Sequence, residues 1–527
     1  MTQCEGPSTD STTKISTVEG AWTAAGVPSF DCPDPVIRQT YDFRWQVFRK
    51  HLRQTPAGWV ITEFSSNVPW AGTHGTISCS AGHHFYEGRW IDPSIYLDDY
   101  SRFWFGPEAA PRRYSFWVAD ALYARYLVSG DARLPIALLD DLVRNYAAWE
   151  AERREPSGLF WQIDDRDGME FQISGSGCRP TINSYMFADA RAIGRIAELA
   201  GRGDVAAQFR AEAAGLKSLV QEQLWDAGAG FFKTLVTETG QAQDREKYGD
   251  DALGLKQIAG RLADVRELQG YVPWVFHLPD SGYEHAWQHL MDPQGFYGLY
   301  GPCTAERRHP AWKPAPTATD HDCLWRGSSW PFATSHTLMG MANLLHDYEQ
   351  AVVSKADYLS QLRTYARSQR RTLPNGEVVP WIDESLHPDT GTWVTRDTLY
   401  ERASPNKDRG ADYNHSTFCD LVITGLVGLK PRADDVLEVD PLLPDGAWDY
   451  FRLDKVRYHG ELLTVLYDAL GTHYGEEAGL QLFVNGRRVA SAPRLQKLCV
   501  PLQAIASSST LPLWTAPLSN TAEQSRT

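Results

Sequence analysis

Carboxylate side chains are concentrated in one glycine-rich stretch, residues 158–185. Asp165, Asp167 and Glu170 closely follow Trp161 in this stretch. Segments rich in glycine and serine between helices are typical of loops at the mouth of a scaffold. Carboxyl groups among aromatic rings suit a carbohydrate, because a sugar ring stacks on tryptophan, its hydroxyls bond to carboxylates, and a protonated acid can cleave an acetal. A solvated acidic turn is the alternative interpretation of the same composition.

Three later segments also combine acidic, basic and aromatic side chains. Residues 379–393 place an acidic pair after a tryptophan and before a Pro-Asp-Thr-Gly turn. Residues 321–336 place an arginine between two tryptophans, where a guanidinium could clamp a hydroxyl or carboxylate or simply pack at the edge of the core. Residues 412–420 open the last predicted helix of the helical part. The candidate residues in these segments are Trp325, Arg326, Trp330, Trp381, Glu384, Tyr413 and His415.

Composition excludes several classes of function. A net charge of −15 leaves no basic stripe for a nucleic acid or an anionic membrane surface. The eight cysteines are scattered without C-x-x-C or zinc spacing, and no glycine-rich phosphate cradle is present, so we expect neither a metal nor a cofactor. No apolar run reaches the roughly 18 residues of a membrane span. The first residues carry no apolar signal segment, which predicts a cytoplasmic protein or one secreted after removal of a leader.

The hydrophobic pattern divides the chain into a helical part and a strand-rich part. Apolar residues recur at helical spacing in pairs of helices joined by long loops, which fits an α/α barrel over residues 35–432. The dense polar and aromatic segment 80–105 is interpreted as a loop. Residues 433–515 alternate like strands around Asn485-Gly486, a strong hairpin signal, and predict an antiparallel β-sandwich. Residues 1–34 are predicted to be flexible, and 516–527 to form a disordered tail.

The order of four motifs resembles the (α/α)6-barrel glycosidases that include trehalase, processing α-glucosidase I and mannosylglycerate hydrolase. Asp167-Gly168-Met169-Glu170 is similar to the S-G-M/W-D segment that carries their general acid. Residues 384–391 have the spacing of E-N-Y-D-P-x-T-G, which carries their general base. Residues 413–417 stand where that family has F-S-W-S-A, and residues 324–330 are similar to Y-W-R-G-P-x-W.

The resemblance implies an inverting, mostly exo-acting glycosidase with Glu170 as acid and Glu384 as base. In such enzymes the acid protonates the glycosidic oxygen while the base activates a water on the opposite face of the sugar. Two departures stand out: Glu170 replaces the usual aspartate, and the trehalase segment P-G-G-R-F is absent. Asp165 and Asp167 remain alternative acids. The sugar, its anomer, its linkage and the oligomeric state are left open.

The roles of the remaining residues have alternatives. Three tryptophans would be platforms for sugar rings or would pack in the core: Trp161, Trp325 and Trp381. Two arginines, Arg179 and Arg326, would orient the acids or bind hydroxyl groups, or would form structural salt bridges. Three other functions compete. A phosphorylase would not need Glu384, a polysaccharide lyase would use a Tyr413 and His415 pair on a uronate, and a sugar-binding protein would need neither glutamate. We expect a small carbohydrate or glycan as the partner.

Overall fold

The computed structural model describes residues 26–317 and 319–502. Helices dominate up to about residue 426, and strands follow. The α-helices are α1 (Pro35–Lys50), α2 (Ser78–Gly88), α3 (Ile95–Phe103), α4 (Val118–Ser129), α5 (Arg133–Ala137), α6 (Leu139–Arg153), α7 (Pro180–Leu199), α8 (Gly203–Gln223), α9 (Glu238–Tyr248), α10 (Val272–Val275), α11 (Pro331–Asp347), α12 (Lys355–Ser368), α13 (Val394–Glu401) and α14 (Phe418–Asp420). The strands are β1 (Ser29–Asp31), β2 (Leu52–Thr55), β3 (Gly58–Ile61), β4 (Gly177–Cys178), β5 (Trp225–Asp226), β6 (Phe231–Phe232), β7 (Leu235–Val236), β8 (Arg370–Thr372), β9 (Val378–Pro380), β10 (Leu429–Lys430), β11 (Val436–Val439), β12 (Tyr450–Tyr458), β13 (Glu461–Asp468), β14 (Gly479–Val484), β15 (Arg487–Ala492) and β16 (Leu498–Pro501). No helix in this part of the chain combines the length and apolar character needed to cross a membrane.

Six inner helical elements close a ring. In order around the ring they are α2, α4, α7, α10, α11 and α14. Helix α14 continues into a π-helical segment at Leu421–Leu426, and the two count as one element. Each element contacts the next, and the last contacts α2. Helices α1, α6, α8 and α12 pack outside this ring. Inner helices must be apolar almost all round, since they contact neighbours on every side, and nearly every residue of α4 and α11 is buried. The predicted (α/α)6 barrel is confirmed.

The predicted loop at residues 80–105 is instead largely helical, and this interpretation was wrong. Residues 78–88 form α2, an inner helix, and residues 95–103 form α3. Because α2 is buried on all sides, its sequence shows no alternation between an apolar and a polar face. Its polar members are buried as well: His83, His84 and Glu87 are each nearly inaccessible to solvent. Polar content alone therefore indicated a loop where the barrel places a core helix.

Gly82 lies in the middle of α2, against the ring of Trp117. A Cβ atom at this position would lie 2.0–2.6 Å from three atoms of the indole, and a packed core cannot move the ring aside cheaply. We expect Gly82→Ala to lower the free energy of unfolding by about 3 kcal/mol, measured by chemical denaturation. Gly215→Ala on α8, where nothing lies within 4 Å, is the control and should stabilise by roughly 0.5–1 kcal/mol. Equal effects of the two changes would contradict this account.

Two antiparallel sheets form the C-terminal domain, as predicted. One has the strand order β1-β12-β13-β14-β15, and the other has the order β10-β11-β16. The turn at Asn485-Gly486 joins β14 to β15, and both residues have positive φ, as a tight hairpin turn requires. The backbone N–H of His459 donates to the carbonyl of Val128 at the end of α4, so the domain braces the barrel.

The first described residues are ordered where the sequence predicted a flexible segment. Residues 29–31 form strand β1 and pair with Asp454–Arg452 of β12 at the edge of the larger sheet. Asp34 then caps α1, since its carboxylate accepts hydrogen bonds from the N–H groups of Val36 and Ile37. The remainder of the predicted flexible segment, residues 1–25, and the predicted tail, 516–527, lie outside the described residues.

Candidate active site

A pocket of about 310 Å³ opens where the inner helices begin. Helices α7 and α11 both start with proline, which fits a first helical turn and ends the loop before it. These loops, with the segments before α4 and α14, carry most of the pocket wall. The residues that line it are Glu63, Phe64, Trp70, Ile77, Cys79, Tyr114, Asp165, Gly168, Glu170, His321, Asp322, Cys323, Trp330, Phe332, Glu384, Arg409, Tyr413 and His415.

Glu170 stands in the loop that precedes α7. Its backbone carbonyl accepts a hydrogen bond from the N–H of Trp325 at 3.1 Å, which ties this loop to the one before α11. The next residue, Phe171, has a φ of 58°, an uncommon conformation for a side chain of this size. Burial raises the pKa of Glu170 well above its usual value, and the charges of Asp165 and other nearby carboxylates raise it further. This shift favours the protonated form of the carboxyl group, which is the form that a general acid needs.

Glu384 faces the same pocket and is paired with an arginine. Its side chain is 2% exposed and forms a two-point ion pair with Arg409: Nε to Oε1 at 2.7 Å and Nη2 to Oε2 at 2.9 Å. A guanidinium that bonds both oxygens fixes the plane of the carboxylate. The charge of Glu384 is also one reason why the pKa of Glu170 is high. The two carboxyl groups therefore stand in contrasting surroundings, since nearby carboxylates raise the pKa of Glu170 whereas Glu384 is paired with a guanidinium.

Arg409 holds three groups together at this wall. Besides Glu384 it donates to the carboxylate of Asp322 and lies 3.3 Å from the sulfur of Cys323. Asp322, Cys323 and Glu384 have ligand atoms close enough for one metal ion. The guanidinium already bonds all three, so it supplies the positive charge that a metal would bring. This arrangement fits a carboxylate held for base catalysis better than it fits a metal centre.

A third carboxyl group, Glu63, lies in the pocket wall beyond β3. The hydroxyl of Tyr413 donates to it at 2.6 Å, and Nδ1 of His415 lies 3.7 Å from the same oxygen. Burial raises the pKa of Glu63 to about 7, with the charge of Glu384 adding to the shift and the Tyr413 hydrogen bond opposing it. Burial also lowers the pKa of His415 well below its usual value, so the imidazole is neutral.

Glu63 should make the stability of the protein depend on pH. Because its pKa rises from 4.5 to about 7 on folding, the folded state keeps a proton that the unfolded chain releases. The stabilisation is complete below the unfolded value and is lost as the pH rises through the folded value, about 7. Between pH 4 and pH 8, the stability of Glu63→Gln relative to wild type should increase by about 3 kcal/mol. Unfolding at both pH values tests this, with the exposed Glu238→Gln as control; parallel curves for Glu63→Gln and wild type would count against it.

Six of the site residues predicted from sequence line the pocket. They are Glu170 and Glu384, the predicted acid and base, and four predicted binding residues, Asp165, Trp330, Tyr413 and His415. Asp165 is paired with Lys247 of α9 at 2.5 Å. The indole N–H of Trp330 is bonded to the carbonyl of Leu324, so the ring is fixed in place.

The acid alternative Asp167 and the predicted binding residue Arg179 lie beneath the pocket and do not line it. Their side chains are fully buried and form an ion pair at 2.5 Å. Asp167 also accepts hydrogen bonds from Ser115 at 2.5 Å and from Thr181. Every contact of Asp167 is therefore within the protein, and the pair braces the loop that carries Glu170.

The other predicted binding residues also lie away from the pocket. Trp161 packs under the guanidinium of Arg153, and Trp381 lies between two arginines. Trp325 stacks on Trp330 with ring centroids 4.3 Å apart and forms the layer behind it. Arg326 pairs with Asp320 at 3.0 Å. Packing and ion pairing, the alternatives considered for these residues, account for their contacts.

Sequence reasoning missed Glu63, Asp322, Cys323 and Arg409. Glu63 closely follows a short strand and precedes Phe64, so its local pattern is that of a strand end. Arg409 lies in a loop without a recognisable motif, four residues before Tyr413. Arg409 does lie three residues before the segment 412–420, so its position was a weak signal, whereas the sequence around Glu63 offered none.

A closed ring of helices with a pocket lined by Glu170 and Glu384 is the arrangement of an (α/α)6-barrel glycoside hydrolase. Comparison with known proteins specifies this class further. The sequence profile of the mannosylglycerate hydrolase MGH1-like glycoside hydrolase domain matches residues 73–416, and the chain belongs to this family. The C-terminal domain of glycosyl hydrolase family 65 matches residues 429–491.

Two solved structures illustrate the likeness. A protein named "Sialidase" is 39% identical to this chain with a TM-score of 0.80; the match covers 90% of this chain and 41% of that one. This chain thus spans about two fifths of the length of that protein. The GH63 mannosylglycerate hydrolase from Thermus thermophilus, in complex with Tris and D-glycerate, is 12% identical with a TM-score of 0.50; the match covers 73% of this chain and 100% of that one. The second likeness concerns the fold alone.

Proposed function

We propose that this protein is an inverting glycosidase that removes a terminal sugar from a glycoside or oligosaccharide. The observation that carries the proposal is the contrast between the half-buried Glu170, whose pKa is raised, and the carboxylate of Glu384 held by Arg409. Glu170 donates its proton to the glycosidic oxygen as that bond breaks. Glu384 takes a proton from a water that attacks the anomeric carbon from the opposite face. The product therefore has the inverted anomeric configuration.

The size and lining of the pocket support exo action on a small sugar unit. A volume of about 310 Å³ is at the lower end of the range for ligand sites, which suits one or two sugar rings. Phe64, Trp70 and Phe332 supply apolar surface for the C–H faces of a ring. Glu63 and Asp165 offer oxygens to hydroxyl groups. A long polysaccharide would need an open groove.

The charges in the pocket weigh against the three alternatives drawn from sequence. Five carboxyl groups line it with one arginine, and that arginine is already paired. A lyase needs a free cation for the uronate carboxylate, and Arg326 is paired elsewhere. A phosphorylase likewise needs a free cation, to bind its phosphate. A protein that only binds sugar has no need of an acid and a base held in opposite states.

Sialoside hydrolysis is a second candidate because of one contact. Some sialidases use a tyrosine as nucleophile, and here the hydroxyl of Tyr413 donates to Glu63 at 2.6 Å, a geometry in which the carboxylate could accept the phenolic proton. The relative named "Sialidase" adds weight to this candidate. The negative field of the pocket opposes it, since a sialic acid carries a carboxylate of its own.

The anomer of the released sugar tests the proposal. A panel of aryl glycosides with neutral sugars, together with an aryl sialoside and end-labelled oligosaccharides, is followed by proton NMR from the first turnovers. We expect inverted product from a neutral glycoside and release of single sugars from the non-reducing end. A retained product would contradict the mechanism and favour Tyr413 as nucleophile.

A further inference from the structure

A second cavity, of about 450 Å³, lies beside the barrel and shares no residue with the active-site pocket. It is enclosed by the end of α12, the hairpin of β8 and β9, and the segment leading into α13. Four of its side chains are arginines, whereas one is acidic, in a chain whose net charge is −15. The lining residues used below are Tyr300, Arg367, Arg370, Arg371, Arg396 and Asp397.

Three of these arginines have no carboxylate partner. Among the residues that the structure describes, Arg367, Arg370 and Arg371 form no ion pair. Arg367 lies over the ring of Tyr300, and Arg371 lies over the ring of Trp381, each about 5 Å from the ring centroid. Arg370 donates to neutral oxygens of the backbone and of Thr40. Their positive charges are therefore not balanced by ion pairs.

The fourth arginine, Arg396, is the deepest. Its side chain is 7% exposed and lies between the rings of Trp381 and Tyr400. One nitrogen bonds Asp408 at 2.7 Å. The other two, Nε and Nη1, are buried without a hydrogen-bond acceptor, and Nη1 is 3.6 Å from Asp383. Arg396 is thus held between two rings and two carboxylates and closes the inner wall of the cavity, which leaves the other three arginines as the unpaired cations of its lining.

The rim of the cavity adds neutral donors. The hydroxyl groups of Thr372, Thr390 and Thr392 line it together with the arginines. Asp397 is the acidic member. Guanidinium groups with hydroxyls around them match a tetrahedral oxyanion, because each arginine offers two parallel N–H groups to two oxygens. A carboxylate, with two oxygens in one plane, would use fewer of these donors.

We propose that this cavity binds a phosphate or sulfate group, either as the free ion or as the ester of a sugar. The bound oxygens accept hydrogen bonds from Arg367 and Arg371, which reach solvent, while Arg370 and Arg396 add to the positive field of the cavity. The site is separate from the chemistry of the barrel, because none of its residues reaches the active-site pocket. It therefore does not depend on the proposed glycosidase reaction.

Calorimetric titration of the full chain tests the proposal, with inorganic phosphate, inorganic sulfate and glucose 6-phosphate as separate probes at constant ionic strength. We expect saturable binding to wild type, and binding weaker by about tenfold or more in the double variant Arg367→Gln, Arg371→Gln. Both residues reach solvent, so the double variant should fold. The matched control, Arg210→Gln with Arg245→Gln, removes the same charge from α8 and α9 and should bind like wild type.

The three probes distinguish the sources of the group. Glucose 6-phosphate binding more tightly than inorganic phosphate would identify a phosphorylated sugar as the ligand, and equal affinities would identify the free ion; both support the site. The variant Arg371→Lys keeps the positive charge but loses the parallel N–H groups of the guanidinium, so it should bind the probes with intermediate affinity. The proposal is overturned if wild type binds none of the probes, or if the control pair weakens binding as much as the cavity pair.

Discussion

Replacing Glu384 by Gln should reduce kcat by about 10²- to 10⁴-fold on every substrate, whatever its leaving group. The amide has the shape of the carboxylate but cannot take a proton from the attacking water. Replacing Glu170 by Gln should cause a loss of the same order only for substrates with alkyl or sugar leaving groups. Aryl glycosides whose phenol is acidic need no proton from the enzyme. The dependence of kcat on the leaving group therefore separates the two roles.

Asp165→Asn is the informative comparison for these two variants. Asp165 lines the pocket and its charge helps to raise the pKa of Glu170. Without that charge Glu170 should lose its proton at lower pH, so the alkaline limb of the kcat profile should move to lower pH while the maximal rate changes little. If Asp165→Asn instead shows the leaving-group dependence and Glu170→Gln does not, the acid has been assigned to the wrong residue.

The two glutamates could be located from the sequence because each lies in a short segment that is similar to a motif of the (α/α)6-barrel glycosidases. The barrel brings these segments together; most of its helices were predictable from apolar periodicity, whereas α2 was interpreted as a loop because its buried residues include polar ones. Glu63 and Arg409 were not found, since their importance arises only from contacts across the ring: Tyr413 reaches back to Glu63, and Arg409 reaches Glu384. Such contacts leave no local pattern in the sequence.

Aromatic and charged residues were harder to assign than the acids. A tryptophan beside an arginine has the same local sequence whether it carries a sugar or packs against the guanidinium. Trp161 and Trp381 do the latter, whereas Trp330 lines the pocket. Which of these occurs depends on the direction of the side chain relative to the ring of helices. That direction is decided by tertiary packing and not by composition.

Arg409 is the residue outside the acid–base pair whose loss should matter most. Replacing it by Met leaves the carboxylates of Glu384 and Asp322 in the wall without a cation. Removing one partner of a buried ion pair costs about 3–5 kcal/mol, so thermal or chemical unfolding should reveal a loss of that order. The surface pair of Arg133, which is 90% exposed, and Asp131 is the control, and Arg133→Met should cost less than about 1 kcal/mol.

The same change should alter catalysis in a way that a purely structural role would not. Without the guanidinium, the Glu384 carboxylate loses the two contacts that fix its plane, so kcat should fall by about 10²-fold while KM changes little. Arg409→Lys keeps one positive charge but cannot make the two-point contact, so its kcat should lie between those of wild type and Arg409→Met. If Arg409→Met lowers stability while kcat stays at the wild-type value, Arg409 supports the fold only and does not position the base.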